Sequence, residues 1–322
     1  MPDFVDINAD QRREAVNSRQ RFEAWRVAAA REAETHGSMV WTLVKGREYL
    51  VRAAYDRQGR RRQSSLGPRS PETERIKAEF EVGREDAKAR LAALQPVMVR
   101  QAAINRVLGL GRVPLVSARV LRLLDRSGLL GAGIRVVGTH ALYAYEAACG
   151  VHFDSGLTTT EDVDLLLDSR ARLSFVASEE LEEASLMRLL QKADRSFRRS
   201  AQSFRAVNHD GFLVDLIKPL RNPPNWHESA PAFEAMAIDM RGGPLRMVTS
   251  DPRVFAAHKY WVSQRLDCDP LKRARDLAQA RAVASLTATH LAHLSFAAEE
   301  LRMLPKELIA EVSPLFVPVL DS

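Results

Sequence analysis

The sequence predicts an α+β fold: a mixed sheet with flanking helices, preceded by a small helix and β-hairpin module and followed by an α-helical region. Three observations lead there. Short apolar runs of strand length, IRVVG (134–138), DVDLLLD (162–168) and FLVDLIK (212–218), alternate with longer helix-like segments. Residues 253–311 read as helical throughout, with breaks near Asp269-Pro270 and Pro305. The charge is unevenly spread, since residues 1–106 carry 21 Lys and Arg against 15 Asp and Glu while the remaining 216 residues carry 26 of each. A chain of 322 residues exceeds one ordinary hydrophobic core. The expected division is a basic module at 1–100, a core at 101–250 and a helical region at 251–322.

Composition narrows the function classes. No run approaches the ~18–20 apolar residues of a membrane span, and MPDFVDINADQRREAV lacks the apolar centre of a secretory signal. The two cysteines, Cys149 and Cys268, are too few for a disulfide framework and have no Cys or His at metal-ligand spacing. They read as reduced thiols of a cytoplasmic protein. The basic front suggests an anionic partner there, of which nucleic acid is the usual kind.

In chain order, residues 8–35 read as one exposed amphipathic helix with few strong apolar positions (Val16, Phe22, Trp25, Val27), ended by Gly37. MVWTLV (39–44) and YLVRAAY (49–55) form a hairpin around KGRE, and 64–66 is a candidate third strand beyond the turn at 56–63. Arg57, Arg60, Arg61 and Arg62 at that tip suit a phosphate backbone, and equally a solvated turn. Ser70 or Thr73 caps a long helix running to about Gln95. Residues 101–131 read as a short helix, a Gly-rich break and a second helix ended by Gly128. GLGR (109–112) lacks the Lys-Ser/Thr ending of a phosphate loop. Strand 134–138 then leads into a helix over 139–150, a loop at 151–161, a strand at 162–168 and a helix at 178–194. A hairpin of 197–209 with 211–219 turns at Asn208–Gly211, and LRMVTSDP (245–252) supplies another strand and a helix cap.

DVDLLLD is the most informative segment. Alternate residues of a strand share a face, so Asp162 and Asp164 point the same way, roughly 6–7 Å apart along the backbone. Two like charges on an apolar strand repel each other and resist desolvation, and a divalent cation removes that cost. Asp215 stands between Val214 and Leu216 in a second β-prone run. Three carboxylates on two strands can hold two metal ions about 3.5–4 Å apart, as phosphoryl transfer requires. Gly138 closes a strand and Thr139 opens a helix, and helix N-termini favour phosphate.

A strand, a small-residue turn, a helix, an Asp-x-Asp strand and a third Asp on a later strand together resemble the DNA polymerase beta-type nucleotidyltransferases. The likeness covers roughly residues 130–280 and is nearest to the bacterial stand-alone members, which include abortive-infection and toxin–antitoxin enzymes. The resemblance implies a Mg²⁺-dependent enzyme, with Mn²⁺ as a substitute, that moves a nucleoside monophosphate from an NTP to an RNA 3′ end or a protein. It implies Asp162, Asp164 and Asp215 as catalytic metal ligands and Gly138 and Thr139 as the nucleotide loop. In related enzymes a helix lysine faces the triphosphate, which implies the same for Lys259, with Arg273 or Asp276 bracing the site. Thr139 stands where the family more often has Ser or Gly, and the 22 residues between Thr139 and Asp162 are more than many members have.

Other polar residues read as structural. Glu161 and Asp168 are solvated or capping residues, Tyr143 and Tyr145 packed helix residues, and His140 and His258 structural histidines. His290 and His293 lack a zinc pattern, and no serine sits in a GxSxG elbow. Two other functions stay open: a catalytically silent nucleotide- or nucleic-acid-binding protein, and a DNA-binding regulator acting through its basic front.

Overall fold

A computed structural model describes residues 3–55, 61–167, 179–201, 205–217, 226–297 and 299–318. Strand β1 (Phe4–Asp6) leads into helix α1 (Ala9–Glu34). Asn8 caps that helix reciprocally: its side chain accepts from the Gln11 N–H, and the Gln11 side chain accepts from the Asn8 N–H. Strands β2 (Ser38–Val44), β3 (Arg47–Tyr55) and β4 (Arg61–Pro68) form an antiparallel three-stranded sheet. The third strand is longer than the expected 64–66 and takes in Arg61 and Arg62, whereas Arg57 and Arg60 lie outside the described residues.

Helix α2 (Pro71–Val107) starts on a Ser70–Thr73 cap and runs well past Gln95. The short helix expected after residue 101 is its C-terminal end. Pro96 was the reason to expect a stop. It sits on the exposed side with Ala92, so the carbonyl it leaves unpaired faces water. Helices α1 and α2 lie antiparallel, joined by a buried polar junction. The Ser18 hydroxyl donates to Asn105 Oδ1 at 2.8 Å, Gln101 Nε2 donates to the same oxygen at 2.9 Å, and Asn105 Nδ2 donates to the Gly242 carbonyl at 2.9 Å. Side chains at both ends of these bonds are fully buried, which ties the helix pair to the main sheet.

The core follows with α3 (Leu115–Arg126), β5 (Ile134–Val137), a 3₁₀ turn (Gly138–Ala141) and α4 (Leu142–Cys149). Gly150 ends α4 at φ 69°, a left-handed conformation that costs glycine least. The segment expected as a loop is instead β6 (Val151–Phe153) and the short α5 (Ser155–Thr158). Val151 and Phe153 alternate inward, and β6 finds its partner in β1, far away in sequence, with Phe4 opposite Phe153. Then come β7 (Asp162–Leu167), α6 (Glu179–Ala193), β8 (Arg198–Arg199), β9 (Arg205–Val207) and β10 (Leu213–Ile217). The chain ends in α7 (Trp226–Ser229), β11 (Ala232–Ile238), β12 (Pro244–Ser250), α8 (Pro252–Ser263), α9 (Pro270–His290) and α10 (Lys306–Val312).

Seven strands form one mixed sheet in the order β11-β12-β5-β7-β10-β9-β8. The β12–β5 and β7–β10 pairs are parallel and the other neighbours antiparallel. One apolar core joins α3 and α6 to the strands through Leu121, Leu124, Leu190, Leu165 and Met247. A second gathers Leu142 and Tyr145 of α4 with Phe255 of α8 and Val283 of α9. Tyr143 and Tyr145 are packed as expected, their hydroxyls donating to the Thr158 and Ser250 carbonyls. No described helix is long and apolar enough to cross a membrane. Replacing Asn105 by Ala leaves the Ser18 hydroxyl and the Gly242 carbonyl buried without their partner. The change should lower stability by about 2–3 kcal/mol, read as a lower urea midpoint at unchanged slope.

Candidate active site

The sheet register assembles a row of charged side chains. Asp164 of β7 stands opposite Val137 of β5 on one side and Asp215 of β10 on the other, and Asp215 stands opposite Arg205 of β9. Directly paired residues share a face, so Asp164, Asp215 and Arg205 project together, with Asp162 two residues up the same strand. Val163, Leu165 and Val214 project to the opposite face and are buried. The sequence therefore alternates charge and hydrocarbon because one side of each strand is core and the other is the site.

Gly138 closes the row at the β5 end. Its φ is 63°, and a Cβ there would collide with Asp164 Oδ2. The glycine thus serves two needs, a left-handed turn and room for a carboxylate against the backbone. Asp164 is partly buried, and burial, followed by the neighbouring charges of Asp162 and Asp215, raises its pKa to about 7, with Lys259 and Arg205 opposing. Arg205 grips Asp215 with two bonds of 2.6 Å. The Thr160 hydroxyl donates to Asp162 Oδ1.

Helices α8 and α9 cover the other side of the turn. Lys259 Nζ lies 2.6 Å from Asp276 Oδ1, so Asp276 holds this lysine in place. Arg275 Nη2 donates to Thr139 Oγ1 at 2.7 Å, and Gln279 Nε2 donates to the same oxygen at 3.2 Å and to the Leu157 carbonyl at 2.7 Å. Accepting twice, the Thr139 hydroxyl keeps its own proton to give away. Thr139 is itself nearly buried, so it is less open to a ligand than a residue at a free helix N-terminus. His140 is fully enclosed, 2.7 Å from the Ser117 hydroxyl, and burial pushes it down to about 4; it is neutral and structural. Burial also lowers His258 to about 4.

All six residues singled out from the sequence, Gly138, Thr139, Asp162, Asp164, Asp215 and Lys259, come to one end of the sheet. Asp168 lies outside the described residues. Arg205, Arg275 and Gln279 were missed. Arg205 was within reach of sequence reasoning, because the turn at Asn208–Gly211 fixes a register that sets it opposite Asp215. Arg275 and Gln279 share a helix face at i and i+4, yet nothing local announces a contact with a residue 136 positions away.

Among the described residues, one group of His and carboxylate atoms lies within 4.8 Å of one another: Asp194, His209 and Asp210. It closes the β9–β10 hairpin, where Asp194 already accepts from Ser196 and Asn208. The oxygens of Asp162, Asp164 and Asp215 stand further apart than that, with Arg205 on both Asp215 oxygens. Their chemistry nevertheless suits a divalent cation. They are hard oxygen donors sharing one face, and their crowding favours added positive charge.

Compared with known proteins, the chain matches the family described as Nucleotidyltransferase over residues 116–228 and 224–304, together more than half its length. No curated protein matches it at a significant level, and no solved structure does either. The matched span contains every residue of the row.

The raised Asp164 pKa has a signed consequence. The folded state binds this proton up to about pH 7, the unfolded chain only to about pH 4. Stability from this group is therefore full below pH 4 and lost as pH climbs through 7. In EDTA, Asp164→Asn should shrink the difference in Tm between pH 5 and pH 8. An unchanged difference would show that Asp164 does not titrate in that window.

Proposed function

The chain belongs to the nucleotidyltransferase family, and from that premise we propose that it is a DNA polymerase beta-type member whose catalytic carboxylates are Asp162, Asp164 and Asp215. Family membership makes it a transferase. The observation that carries the finer reading is the in-register row Gly138–Asp164–Asp215, with Arg205 gripping Asp215 and Lys259 acting on Asp164.

The reaction is transfer of a nucleoside monophosphate from an NTP to a hydroxyl. The acceptor oxygen attacks the α-phosphorus, the bond from that phosphorus to the β-phosphate oxygen breaks, and pyrophosphate leaves. Asp162, Asp164 and Asp215 would hold Mg²⁺, with Mn²⁺ as a substitute; when bound, such ions neutralise phosphate charge and make the attacking hydroxyl more acidic. The chain's own groups do the rest. Asp164 or Asp215 takes the acceptor proton on a carboxylate oxygen.

Around the triphosphate, the Gly138–Thr139 turn offers backbone N–H groups and the Thr139 hydroxyl proton. Arg275 beside that hydroxyl and Lys259 beside Asp276 add positive charge for the leaving pyrophosphate. Arg205 has to release Asp215 for that carboxylate to serve a cation. The acceptor is an RNA 3′ end or a protein side chain.

Incubating the protein with α-labelled NTPs, Mg²⁺, total RNA and a protein extract tests this reading. Label should enter one acceptor class, vanish with EDTA, and fall at least about 1,000-fold in Asp162→Ala and Asp164→Asn. Labelling that survives both substitutions would sink it. Arg275→Ala should instead raise KM for the NTP more than it lowers kcat, since it acts on binding charge.

A further inference from the structure

The whole excess of positive charge falls in one short element. Residues 38–69 hold eight Lys and Arg against two Asp and Glu, a net of +6, which equals the net charge of the full chain. Strands β2, β3 and β4 lie within this segment.

The two faces of that sheet differ. Met39, Trp41 and Leu50 lie on the inner face, where Leu50 is completely buried and the Arg52 guanidinium lies over the Phe80 ring of α2. The one described acidic residue of the segment, Glu48, is paired with Arg69 at 2.8 Å. The outer face carries Thr42, Arg47, Val51, Arg61, Gln63 and Ser65 on its three strands, all exposed except the half-buried Val51. Neither Arg47 nor Arg61 has a carboxylate partner among the described residues, and Lys45 at the hairpin turn has none either. A sheet face that sets these cations and short polar side chains around Val40, Val44 and Val51 is complementary to a polyanion.

We propose that this outer face docks double-stranded DNA. Single strands are gripped by stacking bases on exposed aromatic rings, and among the described side chains of this face the aromatic ring is that of Tyr49, half-buried between its neighbours. Three strands spaced about 4.8 Å apart make a slab roughly 10 Å wide, which suits the DNA major groove of about 12 Å. The major groove of duplex RNA is too narrow and deep to admit it. Arg47, Arg61 and Lys45 contact the backbone phosphates, and Thr42, Gln63 and Ser65 reach the base edges. The proposal does not rest on the catalytic reading, because binding needs neither NTP nor metal.

Fluorescence anisotropy of the full chain with a labelled duplex of about 25 base pairs, in EDTA across a salt series, tests it. The wild type should bind the DNA duplex at least about tenfold tighter than the matching single strand, RNA duplex or single-stranded RNA. Arg47→Glu with Arg61→Glu should weaken DNA binding by about 30-fold or more and lower the salt slope by about 2. Ser65→Glu, a single exposed change on the same face, should weaken it by at least about fivefold even if the double variant folds poorly. Arg281→Glu with Arg302→Glu, an equal change of net charge at exposed sites far along the chain, and Asp164→Asn should each leave binding within about threefold. Absence of binding, equal binding of RNA or single strands, or an equal loss in the Arg281/Arg302 variant would overturn the proposal.

Discussion

Electrostatic crowding at one end of a mixed sheet is the constraint on which the rest of this structure depends. Parallel pairing of β7 with β10 places Asp164 and Asp215 side by side, and strand alternation adds Asp162 to the same face. Left uncompensated, such a group carries a large cost in desolvation and like-charge repulsion. Here compensation comes from outside the strands that create the problem. Arg205 reaches in from the neighbouring hairpin, and Lys259 from a helix almost a hundred residues further along. Gly138 yields the volume that Asp164 occupies. The site is therefore a balance of charges drawn from four separate elements, and the order of strands in the sheet follows the order in which those charges are arranged.

The C-terminal helices are as much part of this balance as the sheet. Residues 272–279 present Asp276 to Lys259 and present Arg275 and Gln279 to Thr139, so one helical turn sets both a cation and a hydroxyl beside the Gly138 turn. Burial of α8 and α9 against α4, through Phe255, Val283 and Tyr145, gives that turn a rigid base. The hydrophobic contacts fix the geometry, and the polar contacts use it.

Much of the site was legible in the sequence because its signals are local. An Asp-x-Asp run inside an otherwise apolar strand, a lone Asp in a second strand and a Gly-Thr step between strand and helix each contradict the ordinary pattern of their element. What stayed hidden was non-local. The β1–β6 pair joins residues about 150 apart, so Val151 and Phe153 read as loop until Phe4 is known to face them. Strand β11 escaped notice because AFEAMAI does not alternate, and its burial comes from pairing with β12 through the turn at Gly242 that also receives α2. Pro96 suggested a helix end and was overridden, since its side of α2 is solvated and the lost bond falls on the water side. Across the sheet tertiary pairing outweighed local preference, and at Pro96 solvation softened a local cost of about 3 kcal/mol.

Helix α2 runs unbroken from the three-stranded sheet at Ser70 to the buried junction at Asn105, and α1 braces it along most of that path. At 1.5 Å per residue this is a strut of roughly 50 Å. A strut clamped at both ends transmits position. It holds the basic sheet at a set distance from the carboxylate row, so the molecule carries an internal ruler: whatever one end grasps, the other end can touch only what lies that far away.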